Sequence, residues 1–120
     1  MNGAATLGEN MADNVGVRLA LRAYEYHAAA RDGGVDEAAD GAKWAGLDKF
    51  SARQVFFLSY AHSHCGAHTE RAAVDQLLTD SHSPMRWRVA GSLANDDHFS
   101  EAFNCPAGAP MNRPQKCRLW

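Results

Sequence analysis

Leu7-Gly8-Glu9-Asn10-Met11-Ala12-Asp13-Asn14-Val15-Gly16 is the stretch on which the rest of the 120-residue chain turns. Alanine, leucine and arginine dominate from here to Arg31. These residues lose little side-chain freedom in a helix, so the pattern predicts a helix from about Glu9 to about Arg31 rather than a strand. On such a helix Glu9 and Asp13 stand four residues apart, and their carboxylates leave one face a turn apart. Two stacked carboxylates repel unless a cation or a proton donor lies in front of them. An E-x-x-x-D pair is also a common form of solvated helix surface, but Leu7, Met11, Ala12 and Val15 leave little polar surface beside this one. A glutamate followed one turn later by an aspartate is the arrangement expected of a metal ligand and a carboxylate that orients a metal-bound histidine. Gly16 costs about 1 kcal/mol against alanine inside a helix, which predicts close approach by a neighbouring backbone or helix.

Hydrophobic residues make up 46% of the chain and aromatic residues 9%, a globular rather than a disordered composition. The formal net charge of −2 leaves no broad basic face for nucleic acid or an anionic membrane. No run approaches the roughly 20 apolar residues of a membrane span, and Met1-Asn2-Gly3-Ala4 lacks the charged-then-apolar layout of a signal peptide. Cys65, Cys105 and Cys117 are odd in number, so at least one cannot bridge within the chain. Either they are reduced thiols, or their partners lie on another segment.

Outward from the opening stretch, Asp32-Gly33-Gly34 predicts the end of the first helix, and the sequence to Leu47 predicts an exposed loop. Ser51-Ala52-Arg53-Gln54 fits a capping box, and Val55, Phe56, Phe57, Leu58, Tyr60 and Ala61 behind it predict a largely buried helix to about His64. Thr69 can cap a further helix from Glu70 to about Leu78. Asp80-Ser81-His82-Ser83-Pro84 breaks it, because the residue before a proline is pushed out of helical geometry. Trp87-Arg88-Val89 reads as a short extended piece, and Asn95-Asp96-Asp97 as the start of a last helix through Phe103. Pro106, Pro110 and Pro114 keep the tail from Cys105 to Trp120 out of regular helix, so something else must pin it, most simply disulfides and Trp120. Four helices, two loops and a proline-rich tail make a mainly α fold.

His82 stands in a turn with Asp80 two residues before it, as a proton donor or oxyanion stabiliser would, or as a surface turn histidine would. Arg88 could present its guanidinium to a carboxylate or a backbone carbonyl of a ligand, or make an ordinary ion pair. His62, His64, Cys65 and His68 lie close in sequence, but Gly66 is expected to end the helix between the last two histidines, and finger-like ligand spacing is absent. There is no phosphate-binding loop, nucleophile elbow, dinucleotide fingerprint or H-E-x-x-H motif.

Several separated motifs carry a resemblance. They are Thr6-Leu7-Gly8-Glu9-Asn10-Met11-Ala12-Asp13-Asn14, Phe56-Phe57-Leu58-Ser59-Tyr60-Ala61, Cys65-Gly66 and Leu77-Leu78-Thr79-Asp80-Ser81-His82-Ser83-Pro84. Arg86-Trp87-Arg88-Val89, Phe99-Ser100-Glu101-Ala102-Phe103-Asn104-Cys105, Pro110-Met111-Asn112 and Cys117-Arg118-Leu119-Trp120 continue the series. In this order they resemble the C-terminal segment of the neprilysin and endothelin-converting-enzyme family of zinc metallopeptidases.

The resemblance implies the C-terminal helical part of a thermolysin-like (gluzincin) catalytic domain. It implies that Glu9 is the third protein ligand of a catalytic Zn²⁺ and that Asp13 holds one zinc-bound histidine in its tautomer. It implies that His82 stabilises the oxyanion, with Asp80 orienting it, and that Arg88 holds a substrate carbonyl or carboxylate. The reaction implied is hydrolysis of peptide bonds in oligopeptides. In that family an H-E-x-x-H helix upstream of the counterpart of Asn2 supplies the other zinc ligands and the general base. The counterparts of Cys65, Cys105 and Cys117 bridge to upstream cysteines.

Residues 1–120 are therefore expected to be an incomplete portion of a catalytic domain, inactive by itself and leaving apolar helix faces open. Its expected partners are peptide substrates and the upstream portion, and its expected setting is extracellular or a membrane-anchored ectodomain. The alternative is a non-catalytic helical interaction module made by a truncated gene.

Overall fold

The computed structural model describes residues 1–32 and 44–119; five helices and no strand occur among the described residues. The expected Gly33-Gly34 stop, most of the loop to Leu47 and the expected anchoring by Trp120 lie outside them. Helix α1, Leu7–Asp32, starts a little earlier than predicted. Asn2 prepares its entry: Oδ1 accepts from the Ala4 N–H at 3.1 Å, and the Asn2 carbonyl accepts from the Thr6 N–H at 3.2 Å.

Helix α2 spans Ala52–Ser63 behind the predicted capping box, in which Ser51 Oγ accepts from the Gln54 N–H and Gln54 Oε1 accepts from the Ser51 N–H. Helix α3, Glu70–Thr79, is capped by Thr69 as expected. The expected extended piece at Trp87-Arg88-Val89 is instead the middle of a helix, α4, Met85–Leu93. A proline breaks a helix that precedes it, but it is well suited to the head of one, where a missing N–H costs nothing. The Pro84 carbonyl accepts from the Trp87 and Arg88 N–H groups and opens that helix. Helix α5, Asp97–Ala102, is capped by Asp96, whose Oδ1 accepts from the Phe99 N–H at 3.1 Å.

The core forms where α1, α2 and α4 meet, from Val17, Leu21, Phe57 and Leu93. Val17 and Leu21 are a turn apart on α1 and so share one face. Phe57 meets Phe56 and Phe99 edge-on, with ring centroids 5.3 and 5.4 Å away. Arg53 donates to Glu25 at 2.7 Å and ties the far half of α1 to α2. The expectation of a largely buried α2 does not hold: only Ala52 and Phe57 are buried, and Leu58 is 41% exposed. Exposed apolar side chains also include Leu19 and Tyr26 of α1 and Val74 and Leu78 of α3.

Gly16 corrects a second expectation. A β-carbon built there would meet nothing within 4 Å among the described residues. Its cost to α1 is therefore uncompensated among the described residues, and Gly16→Ala is expected to stabilise the protein by about 0.5–1 kcal/mol in chemical denaturation. A loss of stability instead would mean that a surface outside the described residues packs against that position.

The tail is held without disulfides: Cys65, Cys105 and Cys117 are all free thiols. Lys116 Nζ reaches Asp97 Oδ1 at 2.9 Å and Ser100 Oγ at 2.9 Å, and Arg118 Nη2 reaches Asp97 Oδ2 at 2.7 Å. The Lys116 hydrogen bond holds the Asp97 carboxyl below the ordinary carboxylate range, against a smaller opposing effect of burial. The Cys117 N–H donates to Asn95 Oδ1 at 3.0 Å, so ion pairs and backbone bonds do the pinning expected of bridges.

Candidate active site

The first two turns of α1, the turn before α4 and α4 itself bring four side chains together that are scattered in sequence. Glu9 and Asp13 do leave α1 on one side, and each carboxylate has a positive or proton-donating group before it. For Asp13 that group is Arg88, in a two-pronged pair: Nε donates to Oδ2 at 2.8 Å and Nη2 to Oδ1 at 2.7 Å. The side chains are only 11% and 26% exposed, so the pair is shielded from solvent on most sides. Hydrogen bonding from Asp13 raises the Arg88 pKa further, outweighing burial, and the guanidinium stays charged throughout the accessible range.

For Glu9 the facing group is His82, with Nε2 3.2 Å from Glu9 Oε2. Asp80 controls the other side of that ring. Its Oδ1 accepts from the His82 backbone N–H at 2.8 Å and lies 2.9 Å from His82 Nδ1. These two bonds lower the Asp80 pKa, the backbone bond contributing most. With Nδ1 turned to Asp80, Nε2 is the nitrogen left to face outward from the turn.

Three side chains that were assigned no role in the site from sequence support the arrangement. Tyr60 of α2 places its hydroxyl 3.0 Å from Ser92 Oγ and 3.4 Å from the Arg88 carbonyl, and burial raises its pKa. Ser92 Oγ also donates to the Arg88 carbonyl, one turn back on the same helix. Asn95 Nδ2 donates to Asn14 Oδ1 at 2.9 Å and fastens the end of α4 to α1. Ser59-Tyr60 and Gly91-Ser92 carried no local signal, because such partners are set by helix packing rather than by spacing along the chain.

Among the described residues, no three His, Cys, Asp or Glu side chains gather as a metal site would require. His62, His64, Cys65 and His68 do not converge; His64 Nδ1 bonds instead to the Tyr60 carbonyl at 3.1 Å. A catalytic zinc of the kind implied by the resemblance needs two histidines beside a glutamate. This chain's donor set does not make up that site, and Glu9 can furnish one oxygen to it. Cys65 and Cys117 are exposed and Cys105 half-buried, far apart along the chain and unbridged.

The family model of peptidase family M13 matches residues 1–119. Membrane metallo-endopeptidase-like 1 of Mus musculus is 48% identical over all 120 residues, which cover 15% of that protein. Endothelin-converting enzyme 1 of Homo sapiens is 44% identical over the whole chain and 14% of its own length. Neprilysin-11 of Caenorhabditis elegans is 42% identical over the whole chain and 13% of its own length. The chain thus spans about a seventh of the length of these relatives.

Proposed function

The chain belongs to peptidase family M13, and from that membership we propose that it forms the C-terminal part of the catalytic domain of a zinc-dependent metalloendopeptidase acting on oligopeptides. The observation that carries the reading is the approach of Glu9 Oε2 to His82 Nε2 at 3.2 Å, which sets a candidate ligand and a candidate oxyanion donor side by side. Glu9 gives the zinc one carboxylate ligand, and the upstream part of the domain gives the two histidines and the general base. When bound, the ion supplies Lewis acidity and a nucleophilic water near neutral pH.

This chain's own residues then bind and orient. With Glu9 engaged on the metal, the His82 Nε2–H that lies 3.2 Å from Glu9 Oε2 here would turn to the charge developing on the scissile carbonyl oxygen, and Asp80 would keep the ring oriented. Asp13 accepts from Arg88 through both oxygens, yet a carboxylate has about four lone-pair sites, so it can still hold a histidine N–H from the upstream part. Arg88 has spent Nε and one Nη2 hydrogen on Asp13, and the rest of its fork, with no hydrogen bond to the described residues, would hold a substrate carbonyl or carboxylate. Peptide substrates and the upstream part of the domain are its partners, and the setting is extracellular or a membrane-anchored ectodomain. There Cys65, Cys105 and Cys117 take disulfide partners from upstream.

The test is metal content in the full-length protein. Glu9→Gln is expected to lose bound zinc and peptide hydrolysis together; a variant that retains its full zinc complement overturns the ligand assignment. The isolated 120 residues are expected to be inactive, and chelator-sensitive hydrolysis that Glu9→Ala abolishes in them would overturn that part of the reading.

A further inference from the structure

We propose that Asn10 and Ser83 form a positioning clamp that holds the His82 turn in register with Glu9, a proposal that rests on the metallopeptidase reading of those two residues. Glu9 and His82 are 43% and 39% exposed at their side chains, and an exposed contact of that kind does not fix its own geometry. The fixing must come from behind the pair. Asn10 follows Glu9 on α1, and Ser83 follows His82 in the turn.

Ser83 is buried, and its Oγ donates to Asn10 Oδ1 at 2.7 Å, across 73 residues of sequence. The other end of the Asn10 amide is committed as well. Nδ2 donates to Thr6 Oγ1 at 3.1 Å, and the buried Thr6 hydroxyl donates onward to the Asn2 carbonyl at 3.3 Å. The amide therefore has one workable orientation, its oxygen toward the hydroxyl that donates and its nitrogen toward the hydroxyl whose proton is already used. Flipping it would set the amide oxygen against Thr6 Oγ1, which could donate to it only by giving up its bond to the Asn2 carbonyl.

Asp80 cannot serve the same purpose. It fixes the rotation of the His82 ring, but it belongs to the same turn and moves with it. The Ser83–Asn10 bond ties that turn to the helix bearing Glu9, one residue behind the pair it aligns. Asn10 and Ser83 act through their neighbours and touch no reacting atom in this proposal; they are positioning residues.

The experiment uses full-length, zinc-loaded protein and a peptide substrate. Ser83→Ala is expected to lower kcat roughly tenfold with KM and zinc content unchanged, as a small displacement of a transition-state donor does. In the double variant Ser83→Ala/His82→Gln, kcat should fall no lower than in His82→Gln alone, because the clamp acts only through His82. Asn10→Ala opens the same bond from the half-buried side and gives the same readouts where Ser83→Ala does not fold. Loss of kcat in His82→Gln with none in Ser83→Ala and Asn10→Ala overturns the clamp while leaving the reading of His82 intact. Additive losses in the double variant also overturn it, since a merely structural defect would not depend on His82. Unchanged kcat in His82→Gln overturns the reading on which the clamp rests.

Discussion

Phe57→Ala is expected to cost the protein about 3–5 kcal/mol, the largest loss from any single truncation in this chain. Phe57 is 1% exposed, and its ring is boxed in by residues from four helices: Val17 and Leu21 of α1, Phe56 of α2, Leu93 of α4 and Phe99 of α5. A cavity closes only if its walls can move, and these walls are fixed by other bonds. The Asp96 cap and the Lys116 bond to Ser100 hold α5 in place, and the Arg88–Asp13 pair holds α4 to α1. The space left by the ring therefore stays empty, and the cost of the void adds to the lost burial. Urea unfolding checks this: the midpoint should fall with the slope unchanged. A loss below about 1 kcal/mol would mean that the core is not centred on Phe57.

The second large effect is at Asp13. Asp13→Asn is expected to cost about 2–3 kcal/mol, because Arg88 keeps its charge in a largely enclosed place and loses the group that neutralises it. The figure sits below the range for fully buried pairs, since Arg88 retains some solvent access. Arg88→Gln should cost a similar amount by stranding the carboxylate. The double variant is expected to lose less than the sum of the two, with a coupling of roughly 1.5 kcal/mol or more in a double-mutant cycle. Plain additivity would show that the two side chains do not depend on one another. A peptidase assay on the same substitutions in the full-length protein separates stability from function, because Asp13 and Arg88 also belong to the proposed site.

Much of the local structure was legible because its causes are local. Ser51 with Gln54, Thr69 and Asp96 each satisfy the first orphan N–H groups of their helices within three residues, so caps and helix starts could be read along the chain. Helix α4 was misread for the opposite reason. Trp87 and Val89 favour extended backbone on their own, and what holds them helical is remote: Tyr60 under the Arg88 carbonyl, and Asp13 on its guanidinium. The tail followed the same rule, since neither Lys116 nor Arg118 announces that Asp97 is its partner.

The candidate site divides along that line too. Glu9, Asp13, His82 and Arg88 were all marked in the sequence, together with the Asp80 contact to His82, a partner two residues away. Which carboxylate faces which cation was not, because Asp13 and Arg88 lie 75 residues apart and meet only after α1 and α4 have packed. Gly16 shows the limit of inferring a neighbour from a costly residue: the cost is visible in sequence, the neighbour is not, and none stands there among the described residues.

Asn95 joins segments that are synthesised at different times. Its amide donates to Asn14, 81 residues earlier, and accepts from the Cys117 N–H, 22 residues later. At ribosomal rates of about 5–20 residues per second, the stretch from Asn95 to Cys117 takes roughly 1–4 s to make. Helices form in about a microsecond or less. During synthesis the Asn14 side of the Asn95 amide can thus be in place for seconds before the Cys117 side exists. The Cys117 bond is therefore the last part of the α1–α4 junction to be made, after the Arg88–Asp13 pair and the Val17, Leu21 and Leu93 core have all been synthesised.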